Sequence, residues 1–235
     1  FALRALMAIA QTVRVGAAQM AEEGFITQIS QLMAEHSHDV QTQRWACLTL
    51  GCIVSGAPEK VELLACQGII GQIKQAMSVH QRTAPMFWCA ADALRRIAAA
   101  IPDSVAEMLK LGMIFQITQT MEMHASHEAV QWNACQFLGV LAEKGHSAIE
   151  GMIEHGALLR ITHAMKASPN FDAVQGAGCY AMAPIVEGRP DCVEWLLERA
   201  IILHISSVMS THKDSDHVQV NACNFLAVIA QCEPD

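Results

Sequence analysis

The feature that most constrains this chain is a self-similarity at a step of 44 residues that runs through the whole sequence without an insertion or deletion. From Ala46 the step reaches Ala90, Ala134, Gly178 and Ala222, with Ala2 one step before. From Leu50 it reaches Leu94, Leu138, Met182 and Leu226, and from Ile53 it reaches Ile97, Leu141, Ile185 and Ile229. Offsets of four and three place these columns on one helical face. Four glycines, Gly24, Gly68, Gly112 and Gly156, recur at the same step, and Ala200 is the departure. Behind each follows an isoleucine or leucine column (Ile26 to Ile202), a second isoleucine column (Ile29 to Ile205) and an unbroken methionine column (Met33, Met77, Met121, Met165, Met209). A fixed period of this length is the mark of a stacked repeat architecture.

Five units follow, at about 13–56, 57–100, 101–144, 145–188 and 189–232, in a single domain over 1–235, with residues 1–12 as the last helix of a preceding, truncated repeat. Because Phe1 to Ile9 is apolar and a terminal repeat needs a polar outer face, further repeats are expected upstream, and the chain reads as a fragment of a larger protein. Each unit predicts three helices: a short one ending at the glycine, one from the isoleucine to the methionine column, and a longer third one carrying the Ala–Leu–Ile face. The glycine permits the sharp turn. Pro58, Pro102 and Pro190 fall between units. Ser37, Asp39, Ser126, Ser168, Ser215 and Asp216 are placed to cap third helices. Pro184, inside a third helix, predicts a kink or an early end, and Gly176 and Gly178 read as repeat decay.

The stretches MIEHGALLRITHAM and EEGFITQISQLM resemble the armadillo signature, and AVQWNACQFLGVLA and HVQVNACNFLAVIA resemble the armadillo third helix. The resemblance implies an all-α fold, a right-handed α-solenoid of three-helix repeats whose third helices line a concave groove that binds protein or peptide. The spacing from Met121 to Cys135 and from Met209 to Cys223 is similar to armadillo arrays of large multidomain eukaryotic proteins, including leucine-rich-repeat kinases. The Trp and Asn ladders with which importin-like members hold a basic peptide are absent, so the resemblance implies a fold and a binding mode but not that ligand.

The candidate groove residues are the third-helix positions off the Ala–Leu–Ile face: Arg44, Trp45, Leu48, Trp88, Asp92, Arg95, Arg96, Trp132, Asn133, Gln136, Tyr180, Asn221 and Asn224. The groove positions total +3, counting Arg4, on a chain of net charge -8. Arginine and tryptophan are enriched at binding hot spots, and arginine offers a bidentate contact to carboxylate. The expected function is a non-catalytic scaffold that binds an extended or helical segment with acidic and apolar residues. The alternative is a rigid structural or regulatory arm of a larger multidomain protein, such as a kinase, using its convex face.

Other classes are disfavoured. An acidic chain lacks the basic face that nucleic acid requires. No apolar run spans a membrane, and no polybasic cluster targets its surface. Nucleotide-binding and hydrolase motifs are missing, so no enzyme and no cofactor are expected. The nine cysteines form no CxxC pair and read as reduced thiols of a cytoplasmic protein, with the nucleus also open. His36, His80, His124 and His212 form a column broken by Ser168. They read as caps at second-helix C-termini rather than as metal ligands, because stacked helices lie too far apart to share an ion. Self-association through the truncated, apolar ends is a further expectation.

Overall fold

In a computed structural model of the chain, residues 14–57, 59 and 68–232 are described. The expected helix at residues 1–12, its groove residue Arg4, Pro58 and the short helix over 61–66 lie outside them. The described residues form fourteen α-helices and no strand. They are α1 Arg14–Glu22, α2 Phe25–Glu35, α3 Val40–Gly56, α4 Ile69–Val79, α5 Ala84–Ala100, α6 Ser104–Lys110, α7 Met113–Met123, α8 Glu128–Ala142, α9 His146–Glu154, α10 Ala157–Ala167, α11 Asp172–Gly188, α12 Cys192–Glu198, α13 Ile201–Thr211 and α14 Asp216–Cys232. The second helices start at 25, 69, 113, 157 and 201, and the third helices at 40, 84, 128, 172 and 216. Both series keep the 44-residue step. The protein is all-α, and its helices recur with the period of its apolar columns.

The chain divides into two compact units, the first ending at Met113 and the second starting at Ile114. In the first, α3 packs on α5; in the second, α11 packs on both α8 and α14. The three columns that define the repeat are the cores of these contacts. Ala46, Leu50 and Ile53 are buried in α3, as are Ala90, Leu94 and Ile97 in α5, Ala134, Leu138 and Leu141 in α8, and Met182 and Ile185 in α11.

The turn between the first and second helix needs a left-handed residue. Gly24, Gly68, Gly112 and Gly156 adopt φ of 78°, 67°, 68° and 66°. Ala200 holds the same conformation, at φ 55°, with a Cβ that costs it about 1–2 kcal/mol. The turn is tied to the helix that follows: the carbonyls of Gly24, Gly68, Gly156 and Ala200 accept the N–H groups of Gln28, Gln72, Arg160 and His204, the first bond of each helical ladder.

A second device joins each second helix to its third. Gln43 Nε2 donates to the carbonyls of Met33 and His36 at 2.7 and 2.9 Å. Gln131, Gln175 and Gln219 repeat the fork onto Met121 and His124, Met165 and Ser168, and Met209 and His212. Each reaches a carbonyl of the last turn and the C-cap carbonyl, the latter of which also accepts the N–H three residues on, so one amide ties the second helix to the third. In α5 the position is held by buried Phe87. This column, also at the 44-residue step, escapes a reading tuned to apolar periodicity.

Three local expectations are corrected. Two members of the histidine column, His80 and His212, bond the preceding repeat by side chain. His80 Nε2 meets the carbonyl of Ser37 at 2.9 Å, and His212 Nε2 meets that of Pro169 at 2.8 Å, so each ring ties a repeat to the one before it. Of the expected caps, Asp39 accepts from the N–H of Gln41 and Thr42. α8 and α11 instead start after His127 and Phe171, without a side-chain capping bond, and Ser215 donates to Asp172. Helix α11 does not end at Pro184 but runs on to Gly188. Its glycines are fitted to neighbours: a Cβ at Gly176 would lie 2.3 Å from the ring of His217, and one at Gly178 would lie 2.5 Å from Sδ of Met165.

Candidate functional site

The candidate residues fall in two groups, one in each unit. In the first, α3 carries Arg44, Trp45 and Leu48, and α5 carries Trp88, Asp92, Arg95 and Arg96; all seven are half-buried. Asp92 lies one turn before both arginines, so a single carboxylate reaches both guanidiniums. Arg95 Nη2 lies 2.7 Å from Oδ1 and Arg96 Nε lies 2.8 Å from Oδ2. Arg96 also crosses to α3, where its Nη1 donates to Ser55 Oγ at 2.5 Å. This crossing requires Gly51, since a Cβ there would sit 3.0 Å from Cδ of Arg96. Arg44 Nη1 donates to Gln41, its Nε is buried without a hydrogen-bond partner, and its guanidinium lies beside Cys89. Burial pushes the Cys89 thiol up, the Arg44 guanidinium pulls it partly back, and the result is about 11.

The groove arginines are thus not independent cations. Asp92 engages two of the three, and the group formed by Arg44, Asp92, Arg95 and Arg96 carries an excess of two positive charges. Arg95 still presents Nε and Nη1 beyond its contact with Asp92.

In the second unit no charged residue stands among the candidates. Trp132 is 38% exposed. Asn133 is buried, and its Nδ2 donates to the carbonyl of Ala129 in its own helix at 2.8 Å. Asn221 does the same with His217 at 2.7 Å. The amide nitrogens of these two asparagines bond their own helix backbone. Gln136 is half-buried and Asn224 exposed. Tyr180 lies flat against α8, where a Cβ at Gly139 would approach its ring to 2.4 Å.

Sequence reasoning directed at third helices missed a surface on the second helices. Phe115, Leu159 and Leu203 occupy one column at the repeat step, and all three are exposed. Leu159 and Leu158 line a cleft of about 400 Å³ with Met152, Ile153, Cys192 and Trp195. The guanidinium of Arg199 stacks 3.9 Å over the Trp195 ring. A second cleft of about 410 Å³ lies between Met121, Glu122, Gln131, Arg160 and Lys166. The apolar residues at a column that should face water were the available signal.

Cys47, Cys52, Cys89, Cys135 and Cys179 are buried packing residues. Burial pushes the thiols of Cys135 and Cys179 up to about 12, and that of Cys47 higher. Among the described residues no cluster of three or more His, Cys, Asp or Glu could hold a metal ion. No helix there is long and apolar enough to cross a membrane.

No protein-family model matches the sequence, and no curated protein matches it. Its fold is shared with engineered proteins. One, solved by the Northeast Structural Genomics Consortium, is similar with a TM-score of 0.84 at 19% identity, over 98% of this chain and 90% of that one. Another from the same consortium gives 0.85 at 21% identity, over 98% and 91%. At this identity the likeness concerns the fold alone.

Proposed function

We propose that the chain is a non-catalytic, armadillo-type solenoid that binds a peptide or helical segment with acidic and apolar residues on the third-helix face of its first unit. The observation that carries this reading is the placement of Arg44, Arg95 and Arg96, with Trp45 and Trp88, at half-buried positions of two packed helices. Half-buried guanidiniums on helices that also carry indoles give a carboxylate a charge-assisted partner and give its apolar neighbours a surface. The helix starts at a 44-residue step support the armadillo reading, and the buried thiols support a reducing, cytoplasmic or nuclear location.

The test is fluorescence anisotropy with two labelled peptides, one alternating glutamate and leucine, the other lysine and leucine. The glutamate peptide is expected to bind, and the combined Arg44→Glu, Arg95→Glu and Arg96→Glu variant to lose at least about tenfold in affinity, or about 1.4 kcal/mol. Equal binding of both peptides, or no change in a variant with an unaltered circular-dichroism melt, removes the site.

The second reading is a rigid arm of a larger protein that docks through its second helices. The exposed Phe115, Leu159 and Leu203 and the Trp195 cleft favour it. Under that reading, Leu159→Glu abolishes partner binding and the arginine variant does not.

A further inference from the structure

The repeat supplies its own standard for what joins one unit to the next. His80 and His212, at the ends of α4 and α13, reach back to the carbonyls of Ser37 and Pro169 in the preceding repeat. The 44-residue step places Ser168 in the column of those histidines and Ala125 in the column of those carbonyls. The backbone is the same: Ser168 stands at φ -124° and ψ 56°, close to His80 at -108° and 32° and to His212 at -110° and 41°. A side chain at 168 therefore leaves the helix end in the direction of the histidines. A hydroxymethyl group stops short of the carbonyl that an imidazole reaches, so the bond to Ala125 that the register calls for is not made.

A second, independent observation is volume. Met33, Ser37, Gln43 and Ala76 stand two steps before Met121, Ala125, Gln131 and Ala164, so the two sets line the same cleft in different repeats. Where His80 follows, the cleft measures about 60 Å³. Where Ser168 follows, it measures about 410 Å³ and extends to Lys166 and Ala167, next to the serine. Gln131 in its wall is buried, and its Nε2 is held by Met121 and His124, which leaves its oxygen as an acceptor. The rim carries two cations, Lys166 and Arg160, against one carboxylate, and that carboxylate, of Glu122, is already engaged by Arg160 at 2.5 Å.

We propose that the cleft between α7 and α10 binds a histidine side chain of a partner polypeptide, with an acidic residue beside it. The imidazole takes the place that His80 and His212 hold at their own junctions, and it donates a ring N–H to the carbonyl of Ala125. The neighbouring carboxylate of the partner meets Lys166, because Arg160 is occupied by Glu122. Met121, Ala164 and Ala167 supply apolar surface for the faces of the ring. A cleft of this volume takes a side chain with its neighbours rather than a solvent molecule. The site belongs to the second unit, and it stands whether or not the arginine face of the first unit binds its own peptide.

The experiment is an NMR titration of the 235-residue chain, labelled at its alanine methyl groups, with the blocked peptide acetyl-Gly-His-Glu-Gly-amide. The expected result is a saturable shift of the Ala125, Ala164 and Ala167 signals, and binding at least about tenfold weaker when alanine replaces the histidine of the peptide. Ser168→His returns the ring of the column to the cleft and is expected to lose at least about tenfold in peptide affinity, with a melt no lower than that of the native chain. Ala167→Trp, at an exposed position on the cleft, fills it from the rim and is expected to lose as much. The combined Arg44→Glu, Arg95→Glu and Arg96→Glu variant is expected to bind this peptide as the native chain does. No saturable shift, equal binding of the alanine peptide, undiminished binding by both cleft-filling variants, or a comparable loss in the arginine variant overturns the proposal.

Discussion

The two units build one repeat with two surface chemistries. In both, the Ala–Leu–Ile columns form the core, with Leu226 in α14 half-buried, and the turn residue is left-handed. On the same third-helix face the first unit sets three arginines, one aspartate and two tryptophans, while the second sets neutral side chains, two of them bonded to their own backbone. The columns that hold the stack together are thus separable from the columns that meet a ligand. Repetition fixes the first set because each repeat must cover its neighbour. The second set is free to differ, and it is there that the units diverge.

The largest test lies at the one column that the repeat fills in two ways, with glutamine in α3, α8, α11 and α14 and with Phe87 in α5. Phe87→Ala in the first unit leaves a cavity and is expected to cost about 3–5 kcal/mol in urea denaturation. Gln175→Ala in the second leaves the Met165 and Ser168 carbonyls without the amide, for about 1–3 kcal/mol. A larger loss for Gln175→Ala would show that the fork, not apolar filling, dominates this position.

Asp92→Asn sharpens the difference in surface chemistry. It releases Arg95 and Arg96 and is expected to strengthen glutamate-peptide binding by about three- to tenfold. Gln136→Asn, one repeat on in the second unit, is expected to leave it unchanged. Weaker binding by the Asp92 variant in the anisotropy assay would mean that the aspartate orients the arginines rather than competing for them.

The turns compare next. Gly156→Ala is expected to destabilise by about 1 kcal/mol, and Ala200→Gly to stabilise by about 0.5–1 kcal/mol, the relief of a left-handed Cβ less the added freedom of the unfolded glycine. Thermal melts of the two variants should move in opposite directions.

The smallest effect concerns the caps. The hydrogen bond from Thr42 holds the Asp39 carboxyl below its ordinary 3.8. A lowered folded value stabilises above pH 3.8, and the contribution disappears as pH falls through that lower value. Asp39→Ala should cost about 1 kcal/mol at neutral pH and progressively less as pH falls below 3.8, as measured by denaturant titration across that range. His127 occupies the matching N-cap of α8 without a side-chain bond, and His127→Asp should gain about as much as Asp39→Ala loses.

Much of the molecule was legible before any coordinates. The period, the helix order, the buried columns and the left-handed glycines follow from apolar spacing and the conformational limits of a Cβ, which are local properties that repetition amplifies. Other features depended on contacts across the repeat. That Asp92 would engage both Arg95 and Arg96, that Gly51 would make room for Arg96, and that Gly139 would receive Tyr180 are facts about neighbouring helices roughly 44 residues away in sequence or about side chains choosing among several partners. His80 and His212 were placed at the right helix ends, but their partners belong to the preceding repeat. The exposure of Cys223, Ala227 and Ala230 lies furthest from the sequence: small or apolar residues at the same register are buried in α8 and α11, where the next third helix packs on them, and open in α14. Periodicity determines which face of a helix is apolar; whether that face is covered depends on a neighbouring surface.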